Sequence, residues 1–101
     1  MEIQMVVEAR LRLSAQSAFL GRIHPEIRLI KVKNQGSEIV IWVVVSHEPT
    51  EKTREDVSIA AAEIVADFPE VEKIKECFEV SNLPLKREDI LAEGWIYQRA
   101  E

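Results

Sequence analysis

The residues best suited to acid–base chemistry near neutral pH are the two histidines, His24 and His47. Histidine is the side chain whose ordinary pKa lies in this range, and two histidines with a lysine could in principle cleave RNA. Nothing in their spacing favours this reaction, because both fall in predicted loops at strand ends. His47-Glu48 does not begin the H-E-x-x-H zinc motif either, because Glu51 stands where the second histidine is required.

The remaining nucleophiles also lack a catalytic context. Cys77 is the only cysteine and lies in a predicted strand, where a cysteine is typically a small packing residue. No serine lies in a G-x-S-x-G motif, and no glycine-rich phosphate loop is present. The sequence therefore predicts a protein that is not an enzyme and that has neither a metal site nor a cofactor.

Length and composition indicate a single folded domain over residues 1–101, with 47% hydrophobic and 31% charged residues. The longest apolar run, residues 39–45, is far shorter than the ~20 residues of a membrane helix. The start of the chain lacks the basic and apolar regions of a signal peptide. We therefore expect a cytoplasmic protein without a membrane partner.

The formal net charge is -5. An acidic surface argues against nucleic acid as the partner, because phosphate contacts require basic residues. It permits a basic protein partner drawn in by long-range attraction. The alternative is that the acidic surface only keeps the protein soluble.

Helical spacing predicts a first helix that ends at Gly21, although Ile3, Met5 and Val7 alternate as in a strand and leave the start of the helix open. The composition of residues 26–33 and 38–46 predicts two strands, and the polar turn between them predicts an antiparallel hairpin. Thr50 or Thr53 can cap a second helix, which Pro69 stops.

The pattern of residues 71–80 predicts a third strand, in which Glu76 falls on the apolar face. Either a bulge occurs there or that end of the strand is exposed. A final strand over 95–99 completes the order α-β-β-α-β-β of the main elements, and a short helix is expected over 87–92 before it. This order predicts an α+β fold: a four-stranded antiparallel sheet with two helices on one face.

The second strand is apolar on both sides. One side carries Ile39, Ile41, Val43 and Val45, and the other carries Val40, Trp42 and Val44. Because a sheet covered on one side should alternate apolar with polar residues, Trp42 is expected in an exposed patch that serves a dimer or another partner. The alternative is that residues 81–93 fold back and cover it.

The second predicted helix carries a stripe of acidic residues away from its apolar face. At ~100° per residue, Asp56, Glu63, Asp67 and Glu70 lie close together around the helix axis. Such a stripe would be favourable against a basic partner. A solvated surface without a partner is the alternative explanation.

Two segments, residues 14–21 followed by Pro25 and Arg28, and residues 63–69, resemble those of small bacterial cytoplasmic proteins. Some of these proteins look like immunity proteins of contact-dependent growth inhibition or related polymorphic toxin systems. The resemblance spans roughly residues 8–99. It implies a small protein that neutralises a cognate toxin domain by tight binding, and it carries over no interface residue.

We therefore predict an immunity-type protein that occludes a toxin domain, with a basic nuclease as the expected toxin. The predicted contacts are Trp42 and the acidic stripe. The alternative is a homodimeric structural or adaptor domain joined through the second strand. A third hypothesis is a small enzyme or ligand-binding domain that uses His24 or His47.

Overall fold

The computed structural model describes residues 2–85 and 95–100, with side chains from residue 9 onward in those ranges. It contains two helices and a four-stranded sheet, so the predicted α+β class and element order are confirmed. The predicted short helix over 87–92 lies outside the described residues. The elements are α1 (Glu2–Ala18), β1 (Ile27–Gln35), β2 (Glu38–Val45), α2 (Glu51–Ala66), β3 (Lys73–Val80) and β4 (Trp95–Gln98).

The two helices follow the apolar spacing and the cap residues of the sequence. Helix α1 already begins at Glu2, so the strand-like alternation near the start does not produce a strand. Gly21 follows α1 with a φ of 76°, a conformation that glycine adopts without a steric cost. At the start of α2, the side chain of Thr50 accepts a hydrogen bond from the backbone N–H of Thr53.

Strands β1 and β2 form the predicted antiparallel hairpin. Their register runs from Ile27 opposite Val45 to Gln35 opposite Glu38, and Gly36 in the turn has a φ of 67°. Strand β4 pairs with the other edge of β1, also antiparallel. The strand order is therefore β3-β2-β1-β4, with the two most apolar strands in the centre.

The prediction of a purely antiparallel sheet is wrong, because β3 pairs with β2 in parallel. Helix α2 connects these two strands and lies against the sheet. A crossover helix returns the chain to the starting edge, so the following strand runs in the same direction as the strand before it. The segment from β2 to β3 is therefore a β-α-β unit inside a mixed sheet.

The sheet has two unlike faces. We call the face under the helices the helix face; on it, Ile39, Ile41, Val43 and Val45 of β2 are each 0% exposed. They form one core with residues of both helices, of β1 and of β4, and Ile74 and Phe78 of β3 pack against it. The opposite side, the second face, is defined by the register positions Leu29, Lys31 and Lys33 of β1, Glu38, Val40, Trp42 and Val44 of β2, and Lys73, Lys75, Cys77 and Glu79 of β3.

Glu76 occupies the helix face of β3 without a bulge, because the β2–β3 register is continuous from Lys73 to Val80. Its carboxylate is half-buried and accepts a hydrogen bond of 2.9 Å from Ser58 Oγ of α2. A polar contact from the helix therefore satisfies the acidic residue that the strand pattern left unexplained.

Candidate partner-binding surfaces

Asp56, predicted on a solvent-facing stripe, is buried at the contact between α2 and the loop before β1. Its side chain is 10% exposed, and its Oδ2 lies 2.6 Å from His24 Nε2. Because an ionised carboxylate only accepts, His24 Nε2 carries the hydrogen and donates it. Lys52, one turn earlier on the helix, lies 3.4 Å from the other carboxylate oxygen. The expectation of a free carboxylate here is therefore wrong.

These contacts fix the charge state of Asp56. The hydrogen bond from His24 lowers the pKa of Asp56 below its ordinary value, and Lys52 lowers it further, against the opposing effect of burial. Asp56 is therefore ionised near neutral pH. Its charge is compensated within the chain, which leaves little of it for a partner.

Two further carboxylates of the stripe join α2 to α1. Glu63 Oε2 accepts a 2.6 Å bond from Arg22, which also donates to the carbonyl of Ala18 at the end of α1. Asp67 Oδ2 accepts a 2.6 Å bond from Ser14 Oγ of α1. Both carboxylates remain exposed to solvent. Their contacts brace the helix pair, so a partner would have to compete with them.

Glu70 is the one stripe residue that is both exposed and without a hydrogen bond or ion pair among the described residues. It follows Pro69, beyond the end of α2 at Ala66. The geometry that placed it beside Asp56 on one continuous helix therefore does not apply. The structure separates the predicted stripe into one buried residue, two bracing residues and one free residue.

A buried polar cluster that the sequence did not reveal lies at the start of α2. Glu26 is 7% exposed, and its Oε2 accepts a 2.7 Å bond from the hydroxyl of the fully buried Thr53. The N–H and hydroxyl of Thr50 point at the same oxygen at 3.4 and 3.5 Å. Burial alone raises the pKa of Glu26, but these hydrogen bonds outweigh it and leave the pKa lowered.

This cluster fits a structural role. A carboxylate at the first turn of a helix satisfies backbone and hydroxyl donors there and is favoured by the helix dipole. Glu26 lies directly before β1, so its contact with Thr53 connects the start of α2 to the start of the hairpin. Only the threonine cap was visible in the sequence, because Glu26 lies 27 residues from Thr53.

The predicted chemistry-bearing residues do not converge into a catalytic or metal site. His24 is engaged by Asp56, whereas His47 is exposed and its Nδ1 lies 3.1 Å from the carbonyl of Glu48. Cys77 is half-buried on the second face and free. Within residues 2–85 and 95–100, no group of three or more potential ligands could hold a metal ion. In the same residues, no helix has both the length and the apolar character needed to cross a bilayer.

Trp42 does not lie in an open apolar patch. The flanking Val40 and Val44 are 3% and 9% exposed, so the expectation that they face solvent is wrong. Trp42 itself is half-buried, and the ammonium of Lys31 lies 5.9 Å from the centre of its ring. The predicted cover by residues 81–93 falls mostly outside the described residues. Leu83, which is described, is 75% exposed and does not provide that cover.

The second face also carries a group of lysines that the sequence did not reveal. Lys31 is half-buried, and Lys33 and Lys75 are exposed. None of the three forms an ion pair with a described residue, whereas the neighbouring Lys73 lies 3.3 Å from Glu38. These lysines come from two strands that are far apart in the sequence and that the parallel pairing of β2 and β3 brings to one surface.

Comparison with known proteins gives one family. A family model described as MafI2 immunity protein matches residues 8–101. No curated protein matches the chain.

Proposed function

We propose, because the chain belongs to the MafI2 immunity protein family, that it binds a cognate toxin domain and neutralises it by occlusion. The family assigns it to the immunity proteins of polymorphic toxin systems. The match over residues 8–101 is the observation that carries the proposal. Immunity proteins generally act by binding, so binding is the mode of action that we propose for this chain.

A basic nuclease is the toxin class that we propose for this partner. The support is the formal net charge of -5, which attracts a basic protein over long range. Glu51, Glu55 and Glu70 are exposed and have no ion pair with described residues, so they contribute most directly to this attraction. Glu63 and Asp67 add to the same field while they brace α1 and α2. Asp56 is enclosed and contributes least.

Charge alone does not hold a toxin tightly. A nanomolar complex corresponds to about -12 kcal/mol, and most of such an energy comes from a few buried anchors. Trp42 is the predicted contact residue best suited to this role, since tryptophan is enriched among binding hot spots. It is half-buried, so a partner would complete its burial at a small cost in side-chain entropy.

The cellular setting is part of the proposal. The resemblance found in the sequence implies a toxin delivered by cell contact and an immunity protein that meets it in the cytoplasm of the receiving cell.

The alternative of a homodimer joined through β2 is less favoured by the charges. In a symmetric dimer, each patch meets its own copy. Contact through the second face would bring Lys31, Lys33 and Lys75 of both copies together, and the described residues offer few carboxylates there to offset them. Glu38 on that face is already paired with Lys73, and Glu79 is the other carboxylate that the described strands place there.

The proposal is tested with the product of the neighbouring open reading frame, where the toxin domain is expected. The two proteins are co-expressed, and a stable complex is expected to co-purify through size-exclusion chromatography. Added at equal molarity, the purified chain is expected to abolish degradation of RNA or DNA by the toxin domain. Bovine serum albumin serves as the protein control.

Different failures of this test have different meanings. No complex at micromolar concentration would overturn the immunity function. A complex with a toxin domain that degrades no nucleic acid would leave immunity standing and overturn the nuclease assignment. Light scattering of the chain alone separates a monomer from the homodimer.

A further inference from the structure

We propose that the second face of the sheet docks onto a carboxylate-rich segment of the toxin domain, through Lys31, Lys33 and Lys75 around Trp42. The inference rests on the proposed immunity function and specifies the chemistry of the partner surface. The sequence pointed to Trp42 and the acidic stripe as the contacts, and it did not reveal the lysines around Trp42.

The register places the lysines around a single small area. Lys33 and Lys75 flank Val40 on either side, and Lys31 lies beside Trp42, two residues along from Lys33. With strands ~4.8 Å apart and ~6.7 Å per two residues, the patch measures roughly 10 by 7 Å. That area matches one short extended or helical segment of a partner that bears two or three carboxylates.

The lysines differ from the other cations because they have no ionic or hydrogen-bonding partner among the described residues. Most other described cations already contact carboxylates or carbonyls: Arg10, Arg22, Arg28, Lys52, Arg54, Lys73 and Arg99. Arg12 on α1 is the other cation without such a partner in the described residues. In an acidic protein, unmatched positive charge gathered on one face indicates complementarity to an anionic surface.

Trp42 lies on the same face, beside the three lysines. Its ring lies under the ammonium of Lys31, and it is half-buried beside the lysines. An aromatic anchor with a charged rim is the usual anatomy of a protein interface. The buried valines beside Trp42 supply a firm base without an apolar patch large enough to cause aggregation.

A basic toxin and an acidic docking segment are compatible. Steering depends on the potential of the whole surface, whereas docking depends on the groups in contact. The net charge of -5 also disfavours a nucleic acid as the occupant of this patch, because its phosphates would be repelled by the rest of the surface. A protein segment carries its carboxylates locally and avoids that repulsion.

The test replaces the three lysines by neutral glutamine: Lys31→Gln, Lys33→Gln and Lys75→Gln together. The matched control carries Arg12→Gln, Gln16→Glu and Ser17→Glu on the exposed side of α1. Each triple variant changes the net charge by -3, from -5 to -8, so long-range steering changes equally. Affinity for the toxin domain is measured by isothermal titration calorimetry, after circular dichroism has established that each variant folds.

The lysine variant is expected to raise the dissociation constant roughly 100-fold or more, since each close charge pair contributes about tenfold. The control is expected to stay within about threefold of the wild type. If the triple lysine variant does not fold, Lys33→Gln with Lys75→Gln replaces it, because both residues are exposed. Its control is Gln16→Glu with Ser17→Glu, which changes the charge by the same -2.

The outcomes separate the two proposals. A lysine variant that binds like the wild type overturns the docking inference and leaves immunity intact. A wild-type chain that does not bind the toxin overturns the proposed function itself. Carbodiimide, which joins amines directly to carboxylates, is expected to cross-link Lys33 or Lys75 to aspartate or glutamate of the toxin. Loss of affinity without such cross-links would overturn the carboxylate assignment.

Nucleic acid is tested with a fluorescein-labelled single-stranded oligonucleotide by fluorescence anisotropy. No binding is expected at micromolar protein. Binding by the wild type that the lysine variant loses would overturn the inference in favour of a nucleic-acid site.

Discussion

The two faces of the sheet are built from the same strands but are covered in different ways. On the helix face, alternate residues of β2 lie under α1 and α2 and are fully buried. On the second face, the intervening residues Val40 and Val44 are also buried, but their neighbours include lysines and a half-buried tryptophan. Apolar residues on both sides of β2 therefore do not mean that both sides are alike.

The difference separates stability from recognition. The helix face is closed by elements of the chain itself, so its side chains contribute mainly to the free energy of unfolding. The lysines of the second face repel one another mildly and have no ionic partner among the described residues, so they contribute little to stability. Residues that stabilise little and carry unmatched charge are those on which a binding function most naturally depends.

The largest expected effect on the free energy of unfolding comes from the same substitution, valine to alanine, made on the two faces of β2. Val43→Ala on the helix face should lower the free energy of unfolding by about 2–3 kcal/mol, since it removes two methyl groups and leaves a cavity. Val40→Ala on the second face should cost about 1 kcal/mol less, because the flexible stems of Lys33 and Lys75 can move into the space. Urea unfolding measures both. Equal losses would contradict the difference in packing.

A second pair of substitutions compares a buried with an exposed hydroxyl on α2. Thr53→Val keeps the shape but removes a donor to the buried Glu26, and should cost about 1–3 kcal/mol. Ser58→Ala removes the exposed bond to Glu76 and should cost less than about 1 kcal/mol. The same unfolding experiment ranks them. A harmless Thr53→Val would show that Glu26 does not depend on this donor.

The contacts of α2 with the segment before β1 should lose their contribution to stability at acidic pH. The pKa values of Asp56 and Glu26 are lowered in the folded protein, so their contribution is complete above their ordinary values of 3.8 and 4.5. It is lost as the pH falls through the lowered folded values. The melting temperature, measured from pH 7 to pH 2, should fall with this loss, and it should fall less steeply at acidic pH in the Asp56→Asn variant. An equally steep fall in that variant would contradict the role of the His24 contact.

The smallest effects are expected at exposed charges on either side. Glu63→Gln breaks the exposed pair with Arg22 and should change stability by less than about 1 kcal/mol. Lys75→Gln on the second face should change it by less than about 0.5 kcal/mol, since no ion pair with a described residue is lost. Thermal melts at 50 mM and 500 mM salt compare the two. Only Glu63→Gln should lose its effect at high salt.

Much of the fold could be predicted because its signals are local. The apolar stripe of α2, its cap at Thr50, and the glycine turn of the hairpin each depend on residues a few positions apart. The direction of β3 could not be read in this way. A strand pattern looks the same in either direction, and only the packing of α2 on the sheet determines that β3 runs parallel to β2.

The candidate site was less predictable than the fold. Trp42 was identified from the two-sided apolar pattern of β2, but whether its neighbours were covered depended on residues of other strands. The acidic stripe was only partly correct as a pattern on a helical wheel, because Asp56 is buried and Glu70 lies beyond the end of α2. Two of its four carboxylates are paired with distant residues: Asp56 meets His24, which lies 32 residues away, and Glu63 meets Arg22, which lies 41 residues away.

The sequence by itself determined the elements, the absence of a recognisable catalytic motif and the resemblance to immunity proteins, because each depends on residue types and short spacings. Tertiary structure alone decided which charges are cancelled and which remain. Pairing between charges depends on distances of a few ångströms between distant segments. For that reason, two of the four carboxylates that the helix pattern placed together are paired within the chain, whereas Lys31, Lys33 and Lys75 converge on the opposite face without an ion pair to a described residue.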